Sequence, residues 1–296
     1  MRDDWRCSSE AVARAEPHYA TASLVSAWLL IEQPGAWGPE ALTDSKFPSA
    51  IATELQRRAS GVRILLIRRR TESSDGPIVF KAHSGDKGRA PALVSMPLGE
   101  PDALLDIDFE ALAAGDVGPG RVINDPIFLV CTHGRHDICC ADNGRPLYRA
   151  LSSVRPDRTW EVSHIGGDRF SGNLLVLPRG DYFGRLEPED AEPLVAGYEG
   201  GRLDLAHHRG RSTRPRLAQA AEHFARETEG LSGLDDLMVS EYRRSDNQAE
   251  VVFATPGGPI RVTVAASPAP ESAYLTCRAS SPGHPVAYDL ISLSRG

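Results

Sequence analysis

Three of the five cysteines, Cys131, Cys139 and Cys140, lie within ten residues of one another near the middle of the 296-residue chain. His164 and Asp168 follow in a second, glycine-containing stretch, in which three residues separate them. Thiolates close to an imidazole suit iron–sulfur clusters, zinc or copper, and no other stretch of the sequence offers such a set. The residue types and their spacing therefore indicate a metal or redox site between residues 131 and 173.

A [2Fe–2S] cluster needs two protein ligands on each iron, and thiolate is the usual ligand. Eight residues separate Cys131 from Cys140, so the two thiolates can meet at one iron if the loop between them curls around the cluster. His164 and Asp168 are the natural pair for the second iron, because both residue types bind iron. The two glycines between them give that loop room to wrap a bulky cofactor.

Two other kinds of site would use overlapping residues. Cys139 and Cys140 could serve a thiol-based oxidoreductase or redox sensor, but adjacent cysteines form only a strained ring and no Cys-x-x-Cys is present. A structural zinc site could use the same ligands as the cluster, although the short Cys-x2–4-Cys spacing typical of such sites is missing. Both alternatives stay open at this point, and the cluster is the favoured interpretation.

Other metal-binding residue types occur in the chain, and we do not expect them to take part. His133 and His136 lie between the cysteines and are predicted to be exposed and not to bind metal. Cys139 is predicted to be a neighbour of a ligand, or to replace Cys140 as the ligand if the register of the loop differs by one residue. Cys7 and Cys277 are distant in sequence and are predicted to be structural or incidental.

Composition limits the class of protein. The chain has 33 Lys and Arg against 40 Asp and Glu, and this net charge of −7 argues against nucleic-acid binding. The first residues lack the apolar core of a signal peptide, and the early apolar run at 23–31 is too short to cross a bilayer. Unevenly spaced cysteines, five in number, do not suggest a secreted disulfide framework. We expect a soluble, cytoplasmic protein with reduced thiols and no membrane partner.

The elements that position the candidate ligands alternate between strands and helices. Apolar runs predict strands at 29–32, 62–67 and 77–80, and helical spacing predicts helices at 47–60 and 109–114. A Gly/Pro-rich loop at 115–120 is the candidate domain boundary. Beyond it, a strand at 123–130 leads into Cys131, and a strand at 159–163 leads into His164. The loops at strand ends, where sites usually lie in α/β folds, therefore carry the candidate ligands.

The remaining elements complete an α/β prediction. We expect a helix at 145–151 with Asn143 as a cap and Pro146 in its first turn, a strand at 174–177, and helices at 187–198 and 216–229. Period-2 segments predict strands at 237–243, 250–254 and 260–265, the last two joined as a hairpin. The expected domains are an N-terminal α/β domain at 1–118, a cluster-binding domain at 119–236 and a β-rich C-terminal segment at 237–296.

The motifs resemble those of the sucrase/ferredoxin-like family. The resemblance rests on Cys-Thr-His-Gly-x-x-Asp-x-Cys-Cys at 131–140, on Ser-His-Ile-Gly-Gly-Asp-Arg-Phe-x-Gly-Asn at 163–173, and on the segment from Trp28 to Gly38. It implies a thioredoxin-like [2Fe–2S] ferredoxin domain behind an N-terminal α/β domain. It also implies a carrier that exchanges electrons with a redox partner protein, a reductase or an acceptor, rather than an enzyme with its own substrate. The word "sucrase" does not imply sugar hydrolysis.

The resemblance also implies a ligand set, from which this chain departs at one position. The best-understood members use two cysteines and two histidines; three of these positions correspond to Cys131, Cys140 and His164, and the fourth falls on Asp168. Either Asp168 binds iron, or it pairs with Arg169 and another residue binds, or the cluster is labile or absent. With Asp168 as ligand the oxidised site carries one negative charge, between two for four thiolates and none for two thiolates and two imidazoles. Because a less negative cluster is easier to reduce, we expect an intermediate potential.

Overall fold

The computed structural model describes residues 5–69, 76–85 and 88–296. In these ranges the helices are α1 (Cys7–Ala13), α2 (Ala41–Asp44), α3 (Ser49–Arg58), α4 (Phe109–Ala113), α5 (Ile138–Val154), α6 (Ala191–Glu199) and α7 (Arg216–Glu229). The first strands are β1 (Ala27–Glu32), β2 (Val62–Arg68), β3 (Ile78–His83), β4 (Ala92–Pro97), β5 (Arg121–Val122), β6 (Ile127–Cys131) and β7 (Thr159–Val162). The later strands are β8 (Leu174–Leu177), β9 (Asp181–Phe183), β10 (His208–Arg211), β11 (Met238–Ser245), β12 (Gln248–Ala254), β13 (Ile260–Pro268) and β14 (Val286–Arg295). Short 3₁₀ turns occur at Pro101–Asp106, Asp168–Phe170 and Pro188–Asp190.

Ten of these strands form one mixed sheet in the order β10-β9-β8-β6-β7-β2-β1-β3-β4-β5. The strands of the first 118 residues, with β5 at the edge beyond β4, join those of the middle segment where β2 pairs antiparallel with β7. The paired residues are Ile67 with Val162 and Arg68 with Glu161. One hydrophobic core lies across this junction and includes Trp28 from β1 and Trp160 from β7. The sheet is therefore continuous across the loop at 115–120, and the domain limits given above stay a prediction.

The middle of the chain has a thioredoxin-like arrangement. β6 and β7 are parallel, and α5 connects them, as a parallel pair requires a crossover. β8 then returns antiparallel to β6, β9 pairs antiparallel with β8, and α6 follows. The resulting strand order β7-β6-β8-β9, within a unit whose chain order is β6, α5, β7, β8, β9, α6, confirms the fold class that the resemblance implied.

β6 is buried at all five positions, so its sequence is a continuous apolar run rather than an alternating one. Alternate residues still enter different cores: Leu129 and Cys131 face the core that contains Trp28, whereas Phe128 and Val130 pack with residues of α5 and α6. Cys131 ends the strand. The candidate site therefore lies at the carboxyl ends of the parallel strands β6 and β7, as predicted.

The prediction for the helix after Cys140 was wrong at its start. α5 begins at Ile138, and its N-cap is Asp137, whose side chain accepts a hydrogen bond from the backbone N–H of Cys139 at 3.0 Å. Pro146 lies inside the helix, and Asn143 is not its cap. Cys139 and Cys140 are thus fixed in the first helical turn instead of lying on a loop that curls around a cofactor.

The C-terminal residues form a separate antiparallel sheet in the order β11-β12-β13-β14. The predicted hairpin corresponds to β12 and β13, while β14 was not predicted, because its residues from Val286 onward are mostly exposed and do not alternate regularly. α7 packs on this sheet through residues that include Leu217 and Ala221. None of the helices in the described residues combines the length and the apolar character that crossing a bilayer requires.

Candidate metal centre

The four predicted ligands lie together although they come from four different local structures. Cys131 ends β6, Cys140 lies in the first turn of α5, His164 follows β7, and Asp168 begins a 3₁₀ turn. The ligand atoms of Cys131, Cys140 and His164 lie within 4.8 Å of one another. Oδ1 of Asp168 lies 3.4 Å from Sγ of Cys140 and 3.0 Å from Nδ1 of His164. The structure thus brings the whole predicted set together.

The pocket is closed on the sulfur side and open at the imidazole. Cys131, Cys140 and Asp168 are buried, whereas 21% of the His164 side chain is exposed. A cavity of about 420 Å³ meets this exposed edge and is lined by His164, His136 and other residues. His164 is therefore the member of the set that can face a partner molecule.

The loop between His164 and Asp168 needs its glycines. Gly166 and Gly167 have φ values of +96° and +83°, in the left-handed region that favours glycine. A Cβ atom at Gly167 would lie 2.2 Å from the guanidinium of Arg209. These glycines let the loop turn sharply and pass close to a buried arginine.

Arg209 is a buried cation that the sequence did not reveal. Its Nη1 donates to the backbone oxygen of Gly166 at 3.0 Å and to Oδ1 of Asn173 at 2.7 Å, and its Nη2 donates to the backbone oxygen of Thr21 at 2.9 Å. Burial lowers the pKa of Arg209 to about 10, so the side chain stays charged at neutral pH. It both fixes the ligand loop and places a positive charge near Asp168. Arg209 lies in a locally basic stretch at 207–216, but the residues that it contacts are distant along the chain.

The prediction that His133 and His136 are exposed was wrong. His133 is buried; its Nε2 donates to the backbone oxygen of Gly38 at 2.7 Å, and its Nδ1 accepts the N–H of His164 at 3.3 Å. His136 is half-buried and stacks on His164 with ring centroids 3.8 Å apart. A ring nitrogen of His136 lies within 4.8 Å of the ligand atoms of His164 and Asp168, so His136 is a further candidate ligand.

Burial and close contacts shift the proton affinities in the pocket. Burial raises the pKa of the Asp168 carboxyl to about 6, against the opposing effect of His164. Burial lowers the pKa of His164, but the neighbouring Cys131 sulfur and the Asp168 carboxylate outweigh it and raise that pKa. A hydrogen bond from Cys140 and the charge of His164 lower the pKa of Cys131 well below its usual range. These shifts favour the thiolate form of Cys131 and the protonated form of His164. A metal ion bound at His164 would displace the imidazole proton.

Cys139 belongs to a different group from its neighbour Cys140. Its Sγ lies 3.7 Å from Sγ of Cys7 and 3.4 Å from Sγ of Cys277. The prediction that Cys7 and Cys277 are structural or incidental did not include their contact with Cys139. Because the Cys139 and Cys140 sulfurs contact different residues, the geometry gives no support to a dithiol pair formed by these two.

The donor set fits a [2Fe–2S] cluster in number and chemistry. Such a cluster needs four donors, and the pocket offers two thiols, an imidazole and a carboxyl, with His136 as a fifth candidate. Nδ1 of His164 and Oδ1 of Asp168, which are 3.0 Å apart in an ion pair, are atoms that a metal would take over. Cys131 and Cys140 would hold one iron, and His164 and Asp168 the other.

The chain combines a thioredoxin-like sheet with cysteine, histidine and aspartate donors near the ends of its parallel strands. It is therefore a thioredoxin-like protein with a candidate metal centre. The sequence model of the sucrase/ferredoxin-like family matches residues 18–210, which is more than half of the chain. The chain belongs to this family.

Two curated relatives share the name "Altered inheritance of mitochondria protein 32". The chain is 32% identical to the Meyerozyma guilliermondii protein over 83 residues, which cover 25% of this chain and 29% of the relative. It is 29% identical to the Eremothecium gossypii protein over 113 residues, which cover 33% of this chain and 36% of the relative. The matches thus span about a third of these relatives.

A solved structure also matches part of the chain: a cysteine-to-serine variant of the thioredoxin-like [2Fe–2S] ferredoxin from Aquifex aeolicus. The match has 17% identity and a TM-score of 0.25, and it covers 28% of this chain and 97% of the ferredoxin. A TM-score this low establishes no common fold, so the thioredoxin-like assignment rests on the strand order given above.

Proposed function

We propose that this chain is an electron-transfer protein that carries a [2Fe–2S] cluster on Cys131, Cys140, His164 and Asp168. The observation that carries the proposal is the convergence of these four donors in one pocket of a sucrase/ferredoxin-like protein. When bound, a [2Fe–2S] cluster takes up and releases one electron.

The protein residues provide the charge, the burial and the access that such a carrier needs. The buried sulfurs of Cys131 and Cys140 keep solvent from the inner side of the pocket. Arg209 offsets part of the negative charge, and hydrogen bonds from its guanidinium hold the loop that presents Asp168. A charged group that hydrogen-bonds to the ligand loop in this way tunes the potential of a metal centre.

The exposed edge of His164 is the proposed place of electron exchange. It stacks against His136, and both rings line the cavity of about 420 Å³. A redox partner protein, either a reductase or an acceptor, would dock over this edge. We propose a carrier without a substrate of its own, acting in the cytoplasm.

Anaerobic purification tests the proposal directly. We expect a red-brown protein with visible charge-transfer absorption, about two iron and two sulfide ions per chain, and an EPR signal after reduction. Cys131→Ala and Cys140→Ala should each abolish these signals. Glu110→Ala, an exposed substitution in α4, is the matched control and should leave them unchanged.

A zinc ion bound by the same residues is the second candidate. The observation in its favour is the close spacing of the donor atoms of Cys131, Cys140 and His164, within 4.8 Å of one another, which also suits a single ion. A colourless protein whose zinc is lost in Cys131→Ala would support this candidate and contradict the cluster. A colourless protein with no metal in this pocket would contradict both.

A further inference from the structure

Three cysteine sulfurs form a nearly equilateral triangle outside the pocket just described. The Sγ atoms of Cys7 and Cys139 are 3.7 Å apart, those of Cys139 and Cys277 are 3.4 Å apart, and those of Cys7 and Cys277 are 3.5 Å apart. Cys7 and Cys139 are fully buried, and Cys277 is partly exposed. The three residues are separated by more than 130 positions in sequence, so only the tertiary fold brings them together.

The triangle has the dimensions of a single-ion site. Zinc binds thiolates at about 2.3 Å in a tetrahedral arrangement, which places any two sulfurs about 3.8 Å apart. The observed separations of 3.4–3.7 Å are only slightly shorter. They are much longer than the bond of about 2.05 Å in a disulfide.

A buried carboxylate completes the arrangement. The oxygens of Asp137 lie 4.0 and 3.9 Å from Sγ of Cys7, and all four ligand atoms lie within 4.8 Å of one another. Oδ1 accepts the backbone N–H of Cys139 at 3.0 Å, and Oδ2 accepts that of Cys277 at 2.8 Å. These hydrogen bonds fix the carboxylate at the side of the triangle, where it can act as a fourth ligand.

Backbone donors also point at the sulfurs. The N–H of Cys7 donates to Sγ of Cys277 at 3.5 Å, which is a normal length for a bond to sulfur. Donors of this kind stabilise thiolates in metal sites and orient their ligands. Four acidic groups in one buried position would repel one another when ionised, and a divalent cation removes this repulsion.

We propose that Cys7, Cys139, Cys277 and Asp137 bind one structural zinc ion. Binding releases the protons of the ligating thiols to solvent, and no redox change is involved. The ion joins the start of α1, the first turn of α5 and the segment between β13 and β14. It is distinct from the centre at Cys131 and Cys140, since it uses no donor atom of that centre, and the inference does not depend on the proposed function.

Metal analysis of the anaerobically purified full chain tests the inference. We expect one zinc ion per chain in the wild type and in Cys131→Ala, and zinc at background level in Cys277→Ala. Cys277→His should restore zinc, because imidazole is a zinc ligand and the residue borders a cavity of about 520 Å³ that can accept the ring. Iron content should be the same in Cys277→Ala as in the wild type.

Three outcomes would overturn the inference. Wild-type protein could lack zinc, Cys277→Ala could keep it, or Cys131→Ala could lose it together with the iron. A disulfide among the three cysteines, detected by mass spectrometry after alkylation without reduction, would also contradict it.

Measurements on the unmutated protein keep the test valid if Cys277→Ala does not fold. X-ray absorption at the zinc edge should show about three sulfur neighbours at ~2.3 Å and one oxygen neighbour at ~2.0 Å. A first shell made mainly of nitrogen and oxygen would refute the assignment. Removal of zinc with a chelator should lower the midpoint of thermal unfolding by about 5–15 °C, because it releases a cross-link between distant segments.

Discussion

At the scale of single residues, Asp168 sets the charge of the proposed cluster site. Its carboxylate stands where the best-understood relatives have a second histidine, and it lies 3.0 Å from Nδ1 of His164. A carboxylate adds a negative charge that a neutral imidazole does not. The potential should therefore lie below that of sites with two cysteines and two histidines, and above that of sites with four cysteines.

Replacing Asp168 by histidine should raise the reduction potential by on the order of 100–300 mV, since it removes one negative charge from the ligand set. Potentiometric titration monitored by visible absorption measures this shift. Asp125→His is the control, because Asp125 is exposed and precedes β6 at the opposite end of that strand. A potential that is unchanged in Asp168→His would show that Asp168 does not bind iron.

The ligands of the candidate centre could be predicted because they lie in two short sequence blocks with recognisable spacing. Cys131, Cys140, His164 and Asp168 follow from residue type and spacing, and the structure brings them together. His136 lay inside the same motif, yet its stacking on His164 depends on a turn that no local pattern encodes.

The triangle of sulfurs from Cys7, Cys139 and Cys277 could not be predicted either, because it also depends on tertiary packing. Cys7 and Cys277 carry no motif, and their closeness to Cys139 results from the packing of the first and last parts of the chain. Buried Arg209 is a similar case, because its partners Gly166 and Thr21 lie 43 and 188 positions away. Contacts of this range leave no signal in one sequence.

At the scale of elements, the start of α5 is the feature that the sequence pattern predicted wrongly. Asn143, Gly144 and Pro146 suggest a break in a helix, so the pattern placed its start too late. The helix continues through these residues, and Gly144 lets it pass close to the end of β6. A Cβ atom at Gly144 would lie 2.0 Å from the backbone oxygen of Cys131. This contact sets the distance between the two cysteines of the proposed cluster.

Gly144→Ala should therefore destabilise the protein by about 1–3 kcal/mol, as overpacking against rigid backbone usually does, and should lower the iron content. Denaturant unfolding and iron analysis measure the two effects. Gly197→Ala in α6 is the matched control, because its added Cβ would meet its nearest neighbour at an ordinary 3.8 Å and alanine favours helix. Equal stability of the two variants would contradict the close approach.

α7 carries a buried ionic network that makes stability depend on pH. Burial would raise the pKa of Glu222, but Arg214, Arg226 and Arg211 outweigh it and lower the pKa to about 2. Nε of Arg226 donates to Oε1 of Glu222 at 2.9 Å. Because the folded-state pKa lies below the unfolded value of 4.5, the contribution to stability is complete above pH 4.5 and is lost as the pH falls toward 2.

Glu222→Gln should lower the free energy of unfolding at pH 7 by on the order of 3 kcal/mol, since it leaves two buried arginines without their counter-charge. The same variant should lose less stability than the wild type as the pH falls from 4.5 toward 2, the window named above. Glu227→Gln, an exposed change in the same helix, should behave as the wild type. Parallel pH profiles for Glu222→Gln and the wild type would disprove the role of this network.

At the scale of the whole molecule, one sheet and one core join the two halves of the large α/β part. Trp28, Leu65 and Phe80 from the first 118 residues share a core with Leu129 and Trp160 from the following segment. Separating the halves would uncover the edge of β7 that pairs with β2. The strand alternation of each half could be predicted, whereas the pairing between them depends on long-range contacts.

Residues 119–296 expressed alone should therefore fail to fold, with weak near-ultraviolet circular dichroism and a broad elution profile. The control is the full chain cleaved at an introduced protease site within the loop at 115–120, which keeps both halves and should stay folded. If the fragment is folded and retains iron, the shared core is dispensable.

The position of each ligand along the chain also fixes an order of assembly during synthesis. Cys131, Cys140, His164 and Asp168 leave the ribosome as one short segment, more than a hundred positions ahead of Cys277. The donors of the proposed cluster site are therefore all available before the proposed zinc site, which also needs Cys277, can close.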